Sequence, residues 1–298
     1  MDGVFQDENS WVGGSEDESG KNNSRSVDSS FLDPPWGDYG RSSTVGIVSL
    51  VGKCILNVMN SSQFDNVSVL LDAAMKREEG EGLITVSNHA STLDDPMLFC
   101  AMFPASFFFT EHAHRRVRWS ICAREMCYSN PLFAQFFKSG KTLPIERGKG
   151  LHQPVMNVVA RAVARGDWVH VFPEGKVHFN DGKGPLLPLK WGVGKLCCDS
   201  YLLSGRVPTV IPFHHTGMTS VLPKGSVIPR PGNHVHVQVG EAIDLQDLIE
   251  MCKSATREGQ ECAWKEITKR ISSRMDQLSA LVPGVTQTGD AGAQPKRA

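Results

Sequence analysis

Residues 142–175 read TLPIERGKGLHQPVMNVVARAVARGDWVHVFPEG, and the order of patterns inside them decides the fold. Thr142–Ile145 is a short apolar run that predicts a strand. Pro154–Arg165 repeats apolar residues at helical spacing, with proline in its first turn and Gly166 as its stop, so it predicts a helix. Trp168–Phe172 predicts a second strand. Strand, helix and strand in one short stretch are the unit of a parallel sheet.

The flanking sequence extends the alternation. Leu83–Val86 is short, apolar and β-branched and predicts a buried strand. Leu186–Leu203 predicts a helix, Val207–Phe213 and His234–Val239 predict strands, and Trp264, Ile267, Ile271, Met275 and Leu278 predict a final amphipathic helix. The expected class is therefore α/β, with a mostly parallel central sheet flanked by helices.

The chain has 298 residues and a net charge of -1, which hides an asymmetry. Residues 1–40 carry nine acidic and two basic side chains, a net of -7, so the rest carries a net of +6. A mildly basic body suits an anionic partner and makes no case for nucleic acid. Residues 1–43, rich in Ser, Asn, Gly, Asp and Glu, are expected to form a disordered acidic extension, 44–283 the folded domain and 284–298 a flexible tail. No basic, apolar or Arg-rich leader is present at the start, so no cleavable presequence is expected. Eight irregularly spaced cysteines, without a CxxC pair, predict free thiols and no structural zinc. The pairs His112/His114 and His234/His236 lack further ligands at a known spacing, so no metal is expected.

Two apolar segments leave their partner open. Val45–Met59 predicts an amphipathic helix with Val48, Val51, Ile55 and Val58 on one stripe and Ser49, Lys53, Asn57 and Asn60 opposite. It is shorter than the roughly 20 residues of a spanning helix, so it packs on the core or lies in a membrane interface. Met97–Phe109, followed by His112, His114, Arg115, Arg116 and Arg118, fits either a surface meeting anionic lipid or a buried helix and strand.

Four elements at strand ends carry chemistry. In Asn88-His89-Ala90-Ser91-Thr92-Leu93-Asp94-Asp95-Pro96, a turn after the strand can swing Asp94 back to the His89 imidazole. A carboxylate on one ring nitrogen fixes the tautomer and raises the basicity of the other, as general-base activation of a hydroxyl requires. In Glu146-Arg147-Gly148 the guanidinium can take phosphate bidentately or serve as a surface ion-pair residue. Phe172-Pro173-Glu174-Gly175-Lys176 is a tight turn that presents Glu174 at the sheet edge. Val210-Ile211-Pro212-Phe213 could wall an acyl pocket or simply be core.

In this order the four elements resemble the glycerolipid acyltransferase superfamily: a His-x4-Asp block, a strand with Arg and Gly, an FPEG block and a Val-Pro strand. WVHVFPEGKV (168–177), RGKG (147–150), KWGVG (190–194), HTGM (215–218) and Leu222-Pro223 resemble its phospholipid–lysophospholipid transacylases, and the likeness spans about residues 80–245. The resemblance implies a glycerol-3-phosphate acyltransferase-like fold. It implies His89 and Asp94 as catalytic residues, and Arg147, Gly148, Glu174, Gly175, Lys176 and Pro212 as substrate-binding. It also implies transfer of acyl groups between phospholipids and lysophospholipids, cardiolipin included, without coenzyme A or any other cofactor. The setting implied is peripheral or monotopic on mitochondrial membranes, facing the intermembrane space, with a homo-oligomer left open. An acyl-coenzyme A donor on the same fold, and a lipid-binding protein without catalysis, are the alternatives.

Overall fold

The computed structural model describes residues 31–110 and 113–282. The expected tail 284–298 and most of the acidic extension lie outside them. In chain order the helices are α1 Gly37–Lys53, continued by a π-helical turn at Cys54–Val58, α2 Val67–Met75, α3 Asp94–Met102, α4 Ala105–Phe109 and α5 Ala113–Arg116. There follow α6 Arg124–Cys127, α7 Pro131–Ser139, α8 Pro154–Ala164, α9 Gly192–Ser204, α10 Met218–Val221, α11 Gln246–Ile249 and α12 Arg257–Leu281. The strands are β1 Ser61–Asp65, β2 Leu83–Ser87, β3 Trp119–Ala123, β4 Thr142–Ile145, β5 Trp168–Val171, β6 Thr209–Thr216 and β7 His234–Val239.

They form one seven-stranded sheet in the order β1-β7-β6-β2-β5-β3-β4. Every pair is parallel except β6 with β7. The class is thus α/β with a mostly parallel sheet. β2 lies between β5 and β6 and is buried along its whole length, which is why it reads as a continuous apolar run. Side chains alternate across the sheet. Ile84, Val86, Val169 and Val210 pack under α8, α9 and α12, while Leu83, Trp168, Ile211 and Phe213 pack under α3. The final helix buries Trp264, Ile267, Ile271, Met275 and Leu278, as its spacing predicts.

Several expectations change. Helix α1 begins at Gly37, inside the segment expected to be disordered. The second expected helix starts at Gly192 rather than Leu186, because 186–191 contains Pro188 and its Leu187 and Lys190 N–H groups bond to Glu174 and to the Pro173 carbonyl. β6 runs three residues past Phe213. Cysteines are not all free: Cys122 pairs with Cys127 across the turn from β3 to α6, and Cys198 on α9 with Cys252. Three-dimensional proximity, with Cα separations of 6.2 and 5.2 Å, brings together thiols whose spacing carries no signature.

The stripe expected on the α1 segment divides: Val48 and Ile55 pack against the core, and Val51 and Val58 are exposed. The buried face of the segment is Arg41, Thr44, Val45, Gly46, Ser49 and Gly52, joined by Leu56 of the π-helical turn, while Ile47, Leu50, Val51 and Val58 are exposed. The cause is the neighbour. α1 lies close on α3, where a Cβ at Gly52 would stand 2.5 Å from that of Cys100. Lys53 Nζ donates to Phe103 O and Asn57 Nδ2 to Ala101 O, satisfying carbonyls at the end of α3. The polar side therefore faces protein. In the second apolar segment Phe99, Phe103, Phe107 and Phe108 are buried, Phe109 alone of its phenylalanines is exposed, and Arg118 is buried in an ion pair. That segment is core.

Candidate active site

Because β2, β3, β4, β5 and β6 run parallel, their carboxyl ends share one edge of the sheet, and the His89, Arg147 and Phe172–Lys176 motifs lie there. β2 ends at Ser87 and the chain turns through Asn88 and His89 before α3 starts at Asp94. The first turn of α3 brings Asp94 back under the histidine. His89 Nδ1 donates to Asp94 Oδ2 at 3.0 Å, and the same oxygen accepts from Ala90 N at 2.7 Å and Ser91 N at 2.8 Å. Three donors on one fully buried oxygen fix the carboxylate, so the carboxylate fixes the ring. Phe172 stacks on the imidazole at 3.8 Å between centroids, 11° from parallel. With Nδ1 engaged, Nε2 is the nitrogen left for chemistry.

His89 lines a cavity of about 770 Å³. One part is apolar, walled by Val45, Val48, Met97, Cys100, Phe108 and Val117; another holds Arg147, Gly148, Gly175, Lys176 and Lys190. Hydrocarbon and a headgroup phosphate can both be accommodated there. Arg147 is half exposed, with Nη1 3.3 Å from Glu125 Oε1. Glu146 turns instead to Lys149 and lies 3.6 Å from Arg124, so it does not compete for Arg147. Gly175, at φ +69°, lies under the Lys190 side chain: a Cβ there would meet Nζ at 2.6 Å.

Two residues expected to bind substrate lie apart from the cavity lining. Glu174 is buried and does not line the cavity. Its Oε1 accepts from His89 N at 2.9 Å and its Oε2 from Leu187 N at 3.0 Å. With His178 N donating to His89 O at 2.6 Å, the segment after β5 grips the His89 backbone on both sides. Glu174 is a positioning residue. Pro212 sits inside the sheet opposite Val86, and its carbonyl accepts from Gly240 N, so it belongs to the core.

Other site residues carried no assigned role in the sequence. Asn88 Nδ2 donates to His215 O and Asn88 Oδ1 accepts from His215 N, both at 2.9 Å. His215 Nε2 donates to Asn88 O and stands 3.5 Å from Asp94 Oδ2. β6 thereby clamps the catalytic turn. Below it, Asp95 pairs with Arg118 through Nε and Nη2, and both side chains are nearly buried. Burial alone would raise the Asp95 carboxyl, but Arg118 holds it below its ordinary value. Burial pushes His170 down to about 3, so it is neutral. Its Nδ1 lies 3.0 Å from Thr85 Oγ1 and its ring meets the edge of Phe172. Asn88, Asp95, His170 and His215 lie inside the quoted motifs and Arg118 in the basic cluster, but the motifs assign them no role. Among the described residues no group of three or more His, Cys, Asp or Glu side chains could hold a metal ion.

The family model described as Acyltransferase matches residues 66–216. N-acylphosphatidylethanolamine synthase of Arabidopsis thaliana is 34% identical over 245 residues, covering 78% of this chain and 82% of that protein. Tafazzin of Drosophila melanogaster is 35% identical over 79% of this chain and 60% of that protein. Taffazin of Dictyostelium discoideum is 31% identical over 68% of this chain and 70% of that protein. The matched region contains every motif of the edge from Asn88 to His215. Fold, motif order and these likenesses agree, and the chain belongs to the glycerolipid acyltransferase family that includes the tafazzins, as a phospholipid acyltransferase.

Proposed function

We propose that the protein moves a fatty acyl group from a phospholipid to a lysophospholipid, lysocardiolipin included, without coenzyme A, at a mitochondrial membrane facing the intermembrane space. The observation that carries this reading is His89, bonded to the buried Asp94, on the wall of a cavity with apolar and cationic lining. His89 Nε2 takes the proton of the lysophospholipid hydroxyl while Asp94 stabilises the imidazolium. The oxygen attacks the ester carbonyl of the donor; the tetrahedral intermediate then expels the donor's glycerol oxygen, which receives the same proton from Nε2. One ester bond forms and one breaks, so no energy input is needed. General-base assistance of this kind contributes about 10²- to 10⁴-fold. Arg147 and Lys176 hold phosphate, with charge-assisted bonds of about 1.5–3 kcal/mol each.

The membrane setting is supported by α1. Among the described residues no helix is long and apolar enough to cross a membrane. The stripe Ile47, Leu50, Val51 and Val58 instead points outward. An outward apolar stripe suits a monotopic seat in a membrane interface. The mitochondrial address and the choice of donor rest on the transacylase-like segments 168–177 and 215–218.

The test is purified protein with labelled phosphatidylcholine and lysocardiolipin, with and without coenzyme A. Transfer without coenzyme A is the expected result. Transfer from acyl-coenzyme A alone would overturn the donor assignment. A second reading follows from the likeness to N-acylphosphatidylethanolamine synthase. There the acceptor is the amine of phosphatidylethanolamine, and an amide product in the same assay would select it.

A further inference from the structure

Loop 223–231, PKGSVIPRP, leaves α10 and carries two neighbouring apolar side chains into solvent: Val227 is 90% exposed and Ile228 73%. The display is built rather than loose. Ser226 N donates to Pro223 O, Ser226 Oγ to Ile228 O, and three prolines limit the backbone. Both ends of the loop are fastened to functional parts. Ahead of it, Ser91 Oγ donates to Leu222 O and Thr219 Oγ1 to Ala90 O, on the turn that carries His89. Behind it, Gly232 N donates to Met59 O and Asn233 N to Asn60 Oδ1, at the end of the α1 segment. Val227 and Ile228 thus stand on a stem bonded beside Val58 and Met59, themselves exposed.

Charge indicates the partner. Lys224 and Arg230 flank the tip and are exposed, and residues 200–240 contain no Asp or Glu. Catalysis uses neither the tip nor its two cations. We propose that loop 223–231 is a second membrane-docking element, which inserts Val227 and Ile228 at the headgroup–acyl boundary of an anionic phospholipid bilayer while Lys224 and Arg230 meet lipid phosphates. The inference rests on the membrane setting proposed above and adds its second point of contact. Two contacts at the end of one helix fix the tilt of the molecule on the lipid, which a single helical stripe leaves free to roll. Because the stem is bonded to the Ala90–Ser91 turn, the contact also holds the catalytic edge of the sheet at a set height above the bilayer.

The experiment compares full-length wild type with Val227→Asp/Ile228→Asp by co-sedimentation with mixed phosphatidylcholine–phosphatidylglycerol vesicles. The double variant should partition less by on the order of tenfold or more, with its thermal midpoint and its transfer rate on detergent-dispersed substrate unchanged. Lys224→Glu/Arg230→Glu should weaken binding and flatten its salt dependence. In Ile228→Trp the added indole fluorescence should be quenched by brominated acyl chains. Unchanged vesicle partition of Val227→Asp/Ile228→Asp would overturn the proposal, as would added fluorescence in Ile228→Trp that brominated chains leave unquenched. A wild type that dimerises without lipid, with a monomeric loop variant, would overturn it in favour of a second copy as occupant. Loss of vesicle binding in the variant, alongside a wild type inactive in detergent, would keep the docking and remove the transacylase reading instead.

Discussion

Asp94 and Asp95 are adjacent at the start of α3 and serve opposite sides of it. Asp94 faces the catalytic turn, where His89 Nδ1, Ala90 N and Ser91 N converge on one of its oxygens. Asp95 faces the sheet, where it holds Arg118 above the buried His170. Both are carboxylates with little access to water. The difference lies in what each would leave behind if removed. Losing the Asp94 charge disturbs the ring proposed to transfer the proton, whereas losing the Asp95 pair strands a guanidinium in the core. Activity and stability are therefore assigned to consecutive residues, and substitutions should separate them.

The largest effect should come from Asp94→Asn. The amide keeps the shape and can accept the backbone bonds, but it cannot stabilise the imidazolium. Turnover on detergent-dispersed lipid should fall about 10²- to 10⁴-fold, with a thermal midpoint near that of wild type. Equal losses of folding and turnover would break the comparison. Arg118→Met should do the reverse, destabilising the protein by about 3–5 kcal/mol in urea titrations because Asp95 is left unpaired. Adding Asp95→Leu should restore much of that loss, since no buried charge then remains.

The buried histidines sharpen the stability side. His170 is pushed to about 3 and His214 to about 4, each mainly by burial. An unfolded histidine titrates near about 6.5. Both folded values lie below the unfolded one, so above about pH 6.5 neither group changes the balance. As pH falls further the unfolded chain takes up protons that the folded chain refuses, and stability declines at up to about 1.4 kcal/mol per group per pH unit until about pH 4. Urea midpoints from pH 7 to pH 4.5 measure the slope, and His214→Gln should roughly halve it. A flat profile would mean that neither ring is held neutral.

The smallest effect should be at Arg147, half exposed and shared with Glu125. Arg147→Ala should raise the KM for the phosphate-bearing substrate by about tenfold, the value of one charge-assisted bond, and Arg147→Lys by less. Kinetics of both variants equal to wild type would make it an ordinary surface pair.

Legibility followed burial. β2, β4, β5, α8 and α12 show in the sequence because each buries a continuous or periodic apolar set. β1, SSQFD, does not, since it is an edge strand held by pairing with β7 rather than by apolar side chains. β3, WSICA, begins at Trp119 against Val169 and ends at the Cys122–Cys127 pair, which no spacing announces. The rule that apolar side chains point inward fails in part at α1, whose close approach to α3 admits small and polar residues and leaves Ile47, Leu50 and Val51 outward. It fails again at α7, where Leu132, Phe133 and Phe136 are exposed.

In the site, the His89–Asp94 geometry was legible because a strand end and one helical turn suffice to build it. The contacts of Glu174 with the His89 and Leu187 N–H groups, and the seat of Pro212 inside the sheet, were not legible, since a motif fixes a position and not which atom the side chain meets. Asn88 and His215 act only through a contact between β2 and β6, 127 residues apart. Such a contact exists only once the sheet is formed.

The central claim is that His89 Nε2, aimed by Asp94, moves the proton of acyl transfer. The direct measurement is the initial rate of His89→Ala on detergent-dispersed labelled phosphatidylcholine and lysophospholipid, with folding followed by thermal melting on the same sample. The rate should fall at least about a hundredfold while the melting midpoint stays within a few degrees. A folded His89→Ala protein that keeps more than about a tenth of the wild-type rate would show that another group is the base.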